Sequence, residues 1–166
     1  MQNTQKQYKV TDDIIARLDK RFVNWLIDII MQTLIFVVAF SFIASVSVSY
    51  GNKEFPDYLI NNKIGQFTFV SIIRLSYYII LETLFARTIG KFVSQTIVVD
   101  ENGERPSHSV ILIRSLCRLI PFYEVSFFGI PTRGWHDSIS KTYVVDKWQL
   151  EQGKRNFNSL KGHDYN

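Results

Sequence analysis

Residues 21–48 read RFVNWLIDIIMQTLIFVVAFSFIASVSV. From Phe22 to Val48 there are 27 residues and a single charge, Asp28. As a helix the stretch is roughly 40 Å long, at about 1.5 Å per residue, enough to cross a hydrocarbon core of about 30 Å. It is too long for a signal-peptide core of about 7–15 residues, and such a core does not carry an aspartate. The Ser/Ala-rich end, Ile43 to Ser47, mimics a cleavage site only faintly. The stretch therefore reads as a membrane span, and the aspartate inside it needs a reason.

The rest of the 166-residue chain, one domain by length, is read against this span. Phe67–Ala86 is 20 residues long and contains Arg74 and Glu82. Twenty is a standard spanning length, so this is a second span. Val110–Ile130 holds Arg114, Arg118, Pro121 and Glu124. Each central charge costs about 2.5–3.5 kcal/mol on insertion, whereas a Leu or Ile returns only about 0.3–0.6. Lys and Arg number five before the first span, two in 49–66, three in 87–109 and six after Ile130. That asymmetry puts the N-terminus, the middle segment and the tail on the cytoplasmic side, which requires an even number of crossings.

The expected architecture is an all-α membrane protein. Two transmembrane helices, about 22–48 and 67–86, form an antiparallel hairpin, and an interfacial amphipathic or re-entrant helix covers about 108–130. The β-type runs Thr96–Val99 and Lys141–Val145 pair as a small cytoplasmic β-hairpin-like element. Residues 1–20 form a cytoplasmic N-terminal segment, 21–145 the membrane domain and 146–166 a polar cytoplasmic tail, frayed from Glu151.

Several chemistries are disfavoured. The pI is near 9.2, but no dense Lys/Arg block with interleaved aromatics suggests nucleic acid. The one cysteine, Cys117, allows no intrachain disulfide and no cysteine cage. His108, His136 and His163 lack metal-ligand spacing, so no metal or cofactor is expected. Thr88 to Lys91 does not complete a phosphate loop and no GxSxG elbow occurs, so an enzyme is not expected. Trp25, Trp135 and Trp148 suit interface anchors.

The polar residues of the spans are patterned. Arg21, Asn24, Asp28 and Gln32 are spaced 3, 4 and 4, as are Ser71, Arg74, Tyr78 and Glu82. Such spacing places each set on one helix face. Two stripes of this kind turn toward each other and away from lipid. Asp28 and Glu82 fall at similar depth near the cytoplasmic end, Arg21 at the mouth and Arg74 near mid-bilayer. Arg114 and Arg118, four apart, reach the same mouth, and the His136-Asp137 doublet is either a surface turn or places Asp137 to cap or pair with the arginine cluster. In one reading Asp28 and Glu82 form a cation or proton site, one carboxylate raising the pKa of the other. In the other, these charges are interhelical ion pairs that fix packing.

The chain also resembles the RDD family of small bacterial membrane proteins. The resemblance is carried by Arg21 to Asp28, Glu82 with Thr88-Ile89-Gly90-Lys91, Ile97 to Asp100 with Gly103, Leu112-Ile113-Arg114, Trp135-His136-Asp137, and Thr142 to Val145. It places the family's Arg and two Asp on Arg21, Asp28 and Asp137. It implies an integral protein of the bacterial cytoplasmic membrane, suspected of transport, with sodium/proton antiport proposed for some members. The sequence departs where Gly134-Trp135 replaces an expected Gly-Leu, and in the short stretch from Arg118 to Arg133.

Three functions follow. One is an oligomeric transporter or cation/proton exchanger using the Arg/Asp/Glu cluster, since two spans enclose no path. Another is a non-transporting accessory or scaffold subunit of a membrane complex. The third is a membrane-anchored module whose basic tail meets a cytoplasmic partner or anionic lipid. The expected partners are the bilayer and either further copies of the chain or another membrane protein.

Overall fold

The computed structural model describes residues 7–120 and 133–163. In chain order its helices are α1 (Leu18–Ser49), α2 (Glu54–Asn61), α3 (Lys63–Phe85), α4 (Ile89–Val93), α5 (His108–Cys117), α6 (Trp135–Ile139) and α7 (Lys147–His163), with strands β1 (Thr96–Val99) and β2 (Tyr143–Asp146). Among the described residues, α1 and α3 are the two helices long and apolar enough to cross a membrane.

α1 has 32 residues, so at about 1.5 Å per residue it exceeds a bilayer core by several turns. Its burial is inside out. The buried residues are Arg21, Asn24 and Asp28, all near its start. The apolar residues further along, such as Leu34, Val38 and Phe42, are exposed. A soluble helix shows the reverse, whereas a lipid-facing helix must hide its polar groups.

α2 is short and joins α1 to α3, with Tyr58 packed so closely on Gly65 that a Cβ there would sit 2.8 Å from the ring. The Asn62 side chain caps α3 by accepting from Ile64 N at 2.9 Å and Gly65 N at 3.1 Å. α3 meets α1 through Phe69 on Phe36, with ring centroids 5.5 Å apart, and through Tyr77 on Asp28. Residue numbers thus fall along one helix as they rise along the other. α3 stops at Ala86, whose φ of 54° is left-handed. The Thr88 side chain then caps α4.

β1 and β2 pair antiparallel, Val98 opposite Val144 and Ile97 opposite Val145. The link is not a hairpin turn, because α5 and α6 lie between the strands. Alternation gives the sheet two roles. Val99 and Val145 face a small core with Ile14 and Leu150, and Val98 and Val144 pack with Ala16 on the other side. Thr96 and Thr142, both fully buried, share that second side and face the polar site.

Two expectations change. The tail from Glu151 is not frayed, because α7 runs to His163. Leu150 anchors it in the sheet core, Phe157 meets Tyr8 edge-on at 5.9 Å, and Lys154 pairs with Glu104 at 2.6 Å. These sparse contacts are hidden in a polar composition. The helix expected over 108–130 ends at Cys117 in the structure, and 121–130 lie outside the described residues.

Candidate functional site

The polar residues that the apolar helices bury converge where the start of α1 meets the end of α3, and α4, α5, α6 and the sheet close around them. Among the described residues three carboxylates organise the cluster, and Arg114 is shared by two of them.

Asp28 is held by neutral groups. Its Oδ1 accepts from the Tyr77 hydroxyl at 2.7 Å and from Gly90 N at 2.9 Å, and its Oδ2 from the Thr88 hydroxyl at 2.6 Å. Glycine is required at position 90 because a Cβ would lie 2.3 Å from the Asn24 carbonyl oxygen. The close approach of α4 to α1 is what brings the Gly90 amide to Asp28.

Glu82 is fully buried and is held by cations. Lys91 Nζ donates to Oε1 at 3.0 Å, Arg118 Nη2 to Oε1 at 2.9 Å and Arg114 Nε to Oε2 at 3.1 Å. The Arg118 guanidinium also lies 3.7 Å above the Tyr78 ring, a cation–π contact. Asp28 and Glu82 are linked only indirectly. Lys91 Nζ also donates to Thr88 Oγ1 at 3.3 Å, and the Thr88 hydroxyl donates to Asp28.

Asp137, also fully buried, accepts from Arg21 Nη1 at 2.6 Å, from Arg114 Nη1 and from Gly134 N at 3.3 Å. Arg114 therefore bridges α3 and α6, and its Nη1 also donates to Thr142 Oγ1 at 2.6 Å. Burial alone would raise the Asp137 carboxyl, but the Arg114 and Arg21 guanidiniums beside it hold it well below its ordinary range. His136 Nε2 lies 3.4 Å from Asp137 Oδ1. Burial, helped by the arginines, pushes His136 well below its ordinary pKa, so it is neutral near pH 7. Asn24 fixes α1 on the sheet by donating to Thr96 Oγ1 at 3.0 Å and accepting from the Ser94 hydroxyl.

A cavity of about 50 Å³ lies within the cluster, lined by Arg21, Asn24, Trp25, Asp28, Lys91, Arg114 and their neighbours. A second, of about 270 Å³, is lined by Ile29, Gln32, Thr33, Phe36, Val70, Ile73 and Arg74. The residues of α1 that line the two continue a single helical face.

Of the residues expected at the site, Arg21, Asn24, Asp28, Glu82, Arg114, Arg118 and Asp137 come together here. Arg74 does not, and lines the second cavity with Gln32. Tyr78 stood in the expected stripe of the second span, Tyr77 was given no role by sequence, and Lys91, Thr96 and Thr142 stood in quoted runs without a role at the site. Gly90 and Thr88 stood in a quoted motif without one. Lys91 is four residues past Arg87 in a segment that reads as an ordinary basic loop, so its burial was not visible. No group of His, Cys, Asp or Glu among the described residues is arranged to hold a metal ion.

The family model described as RDD family matches residues 15–141. The chain belongs to the RDD family. It is a membrane-type RDD protein, mostly helical with two candidate membrane-spanning helices. Searches of curated proteins and of solved structures find no match. The three residues that the RDD likeness singles out, Arg21, Asp28 and Asp137, all lie inside the matched range and inside the buried cluster.

Proposed function

We propose that this RDD protein is a membrane transport subunit that moves a small ion as an oligomer and is not an enzyme. The observation that carries this reading is the stacking of the two cavities along one face of α1, the second holding Gln32, Thr33 and Arg74 among apolar residues. The lower cavity ends at Asp28 and Tyr78, and the upper begins at the next residue of α1, Ile29, and about one turn away along α3, at Arg74. A polar face with two chambers in line is what an ion would follow, whereas helices that only need to pack have no use for the second. Two spans cannot enclose a path, so a second copy of the chain completes it.

In this reading α1 and α3 cross the bacterial cytoplasmic membrane as an antiparallel hairpin, with both termini on the cytoplasmic side, where the Lys/Arg residues concentrate. α5 lies at the inner interface. It buries Ile111, Arg114 and Ser115 toward the cluster and exposes Leu112, Ile113 and Leu116.

The second reading is an accessory subunit. It is favoured by the outer half of α1, where Ile30, Leu34, Val37, Val38 and Phe42 are exposed around the helix and offer surface to another membrane protein. Ion flux into proteoliposomes that contain only this protein separates the two. It is followed with a pH-sensitive dye under sodium, potassium and chloride gradients, with wild type beside Asp28→Asn. Flux that disappears in a folded Asp28→Asn supports transport. No flux in the wild type overturns it in favour of the accessory role.

A further inference from the structure

We infer that the cavity between Arg21, Trp25 and Arg114 is a binding site for a small monovalent anion of the halide or nitrate class. The inference rests on the cavity and not on transport, so it goes beyond the reading above and stands apart from it.

The charges are arranged asymmetrically. All four buried cations of the cluster, Arg21, Lys91, Arg114 and Arg118, line the cavity. Glu82 and Asp137 neutralise them from behind and are not among its lining residues. The one lining carboxylate, Asp28, is already committed to Tyr77, Thr88 and Gly90. The wall of the cavity is therefore cationic, with two of the acids set behind it. A buried wall of this sign favours an anion over a cation.

Donors are also left over. Arg21 Nη2, Arg114 Nη2 and Trp25 Nε1 are buried and have no hydrogen-bond partner among the described residues. Arg21 is 6% exposed and Arg114 is 0% exposed. Each of these residues lines the cavity, and buried donors without acceptors are rare in native folds. Three such donors beside four lining cations select an anion over a metal ion. The volume of about 50 Å³ is the remaining constraint. It is several times the roughly 10–15 Å³ that a single water needs, and far too small for a nucleotide or a sugar phosphate.

The test is equilibrium binding by the full-length protein in detergent at constant ionic strength. Sodium gluconate, whose anion is too large for the cavity, is replaced stepwise by chloride or nitrate while the unfolding midpoint is followed by intrinsic fluorescence. The expected result is a saturable rise with chloride and nitrate. Trp25→Phe keeps the ring and removes the donor, and it should weaken the apparent affinity about five- to tenfold. Arg21→Gln should abolish the effect, and if that variant does not fold, Trp25→Phe decides alone. A midpoint that is the same in chloride and gluconate would mean that the cavity holds only water, and a Trp25→Phe protein that titrates like wild type would mean that the ion binds elsewhere. Either result overturns the site whether or not the protein carries flux.

Discussion

Arg21, in the first turn of α1, donates to Asp137 at 2.6 Å across 116 residues of sequence. Both groups are buried, so this contact ties the start of the membrane domain to α6. Removing one partner of a buried ion pair typically costs about 3–5 kcal/mol, because the other charge is stranded. Asp137→Asn should therefore lower the unfolding midpoint sharply and reduce the yield of monodisperse protein. Arg21→Lys keeps the charge but cannot reproduce the guanidinium geometry, and it should fall between the two. Wild-type behaviour of Asp137→Asn in a thermal melt would mean that the pair is dispensable.

Gly90→Ala should separate α4 from α1. The new methyl would meet the Asn24 backbone, which cannot turn aside as a side chain could. Overpacking of this kind costs about 1–3 kcal/mol, and the Gly90 amide also moves away from Asp28. A thermal melt of the variant checks this, and no loss of stability would show that α4 can shift without cost.

Asp28→Asn is milder than Asp137→Asn, because Asp28 is bound by neutral donors. The new amide turns one accepting oxygen into a donor that faces another donor, at a cost of about 1–3 kcal/mol. The fold should survive, which makes this variant usable in the flux assay. If Asp28→Asn fails to fold, Asp28 is structural first and the assay cannot use it.

Stability should depend on pH in two windows. The folded pKa of His136 is depressed from 6.5. As pH falls below that value the unfolded chain takes up a proton that the folded site refuses, and stability declines. Asp137 is depressed from 3.8, so it adds a second decline below about that pH. Each slope approaches 1.4 kcal/mol per pH unit at most. Denaturation at pH 8, 6 and 5 should show the first decline, and His136→Gln should flatten it. A flat wild-type profile from pH 8 to 5 would contradict a neutral His136.

Lys91 sets the upper limit of anion binding. Burial lowers its pKa, Glu82 and Asp28 pull it back up, and Arg118 and Arg114 push it down, with a net depression. Loss of its proton removes one of the four positive charges that line the cavity. Chloride stabilisation should therefore fade with rising pH before an ordinary lysine would titrate. Lys91→Met should lack the effect at every pH, and an unchanged chloride response in that variant would show that Lys91 is not needed.

The stripes in the two spans were legible because helical spacing alone puts Arg21, Asn24 and Asp28 on one face and Tyr78 and Glu82 on another. The match of Gln32 to the level of Arg74 was legible for the same reason. What could not be read was the closure of the site. Lys91 and Gly90 enter through α4, which has five residues and shows no periodicity long enough to see. A pairing of Asp137 with the arginines was one expectation, but not the five-residue helix that carries it or the way Arg114 joins it to Glu82. Thr96 and Thr142 look like ordinary strand residues until pairing of the strands turns both toward the cluster. The expectation that Asp28 and Glu82 share one site also missed Thr88 and Lys91, which stand between them.

The reach of Arg21 to Asp137 has a consequence for biogenesis. The arginine leaves the ribosome first and its acid 116 residues later, an interval on the order of ten seconds at about 5–20 residues per second. During that time the first helix enters the membrane with Arg21 unneutralised and with Asp28 lacking the hydroxyls and amide that later hold it. The nascent chain must therefore wait at a wet interface, in the insertion machinery or against a chaperone, until its C-terminal third arrives. A chain cut short before Asp137 would keep both spans and lack the means to seal them, which makes it a natural substrate for membrane quality control.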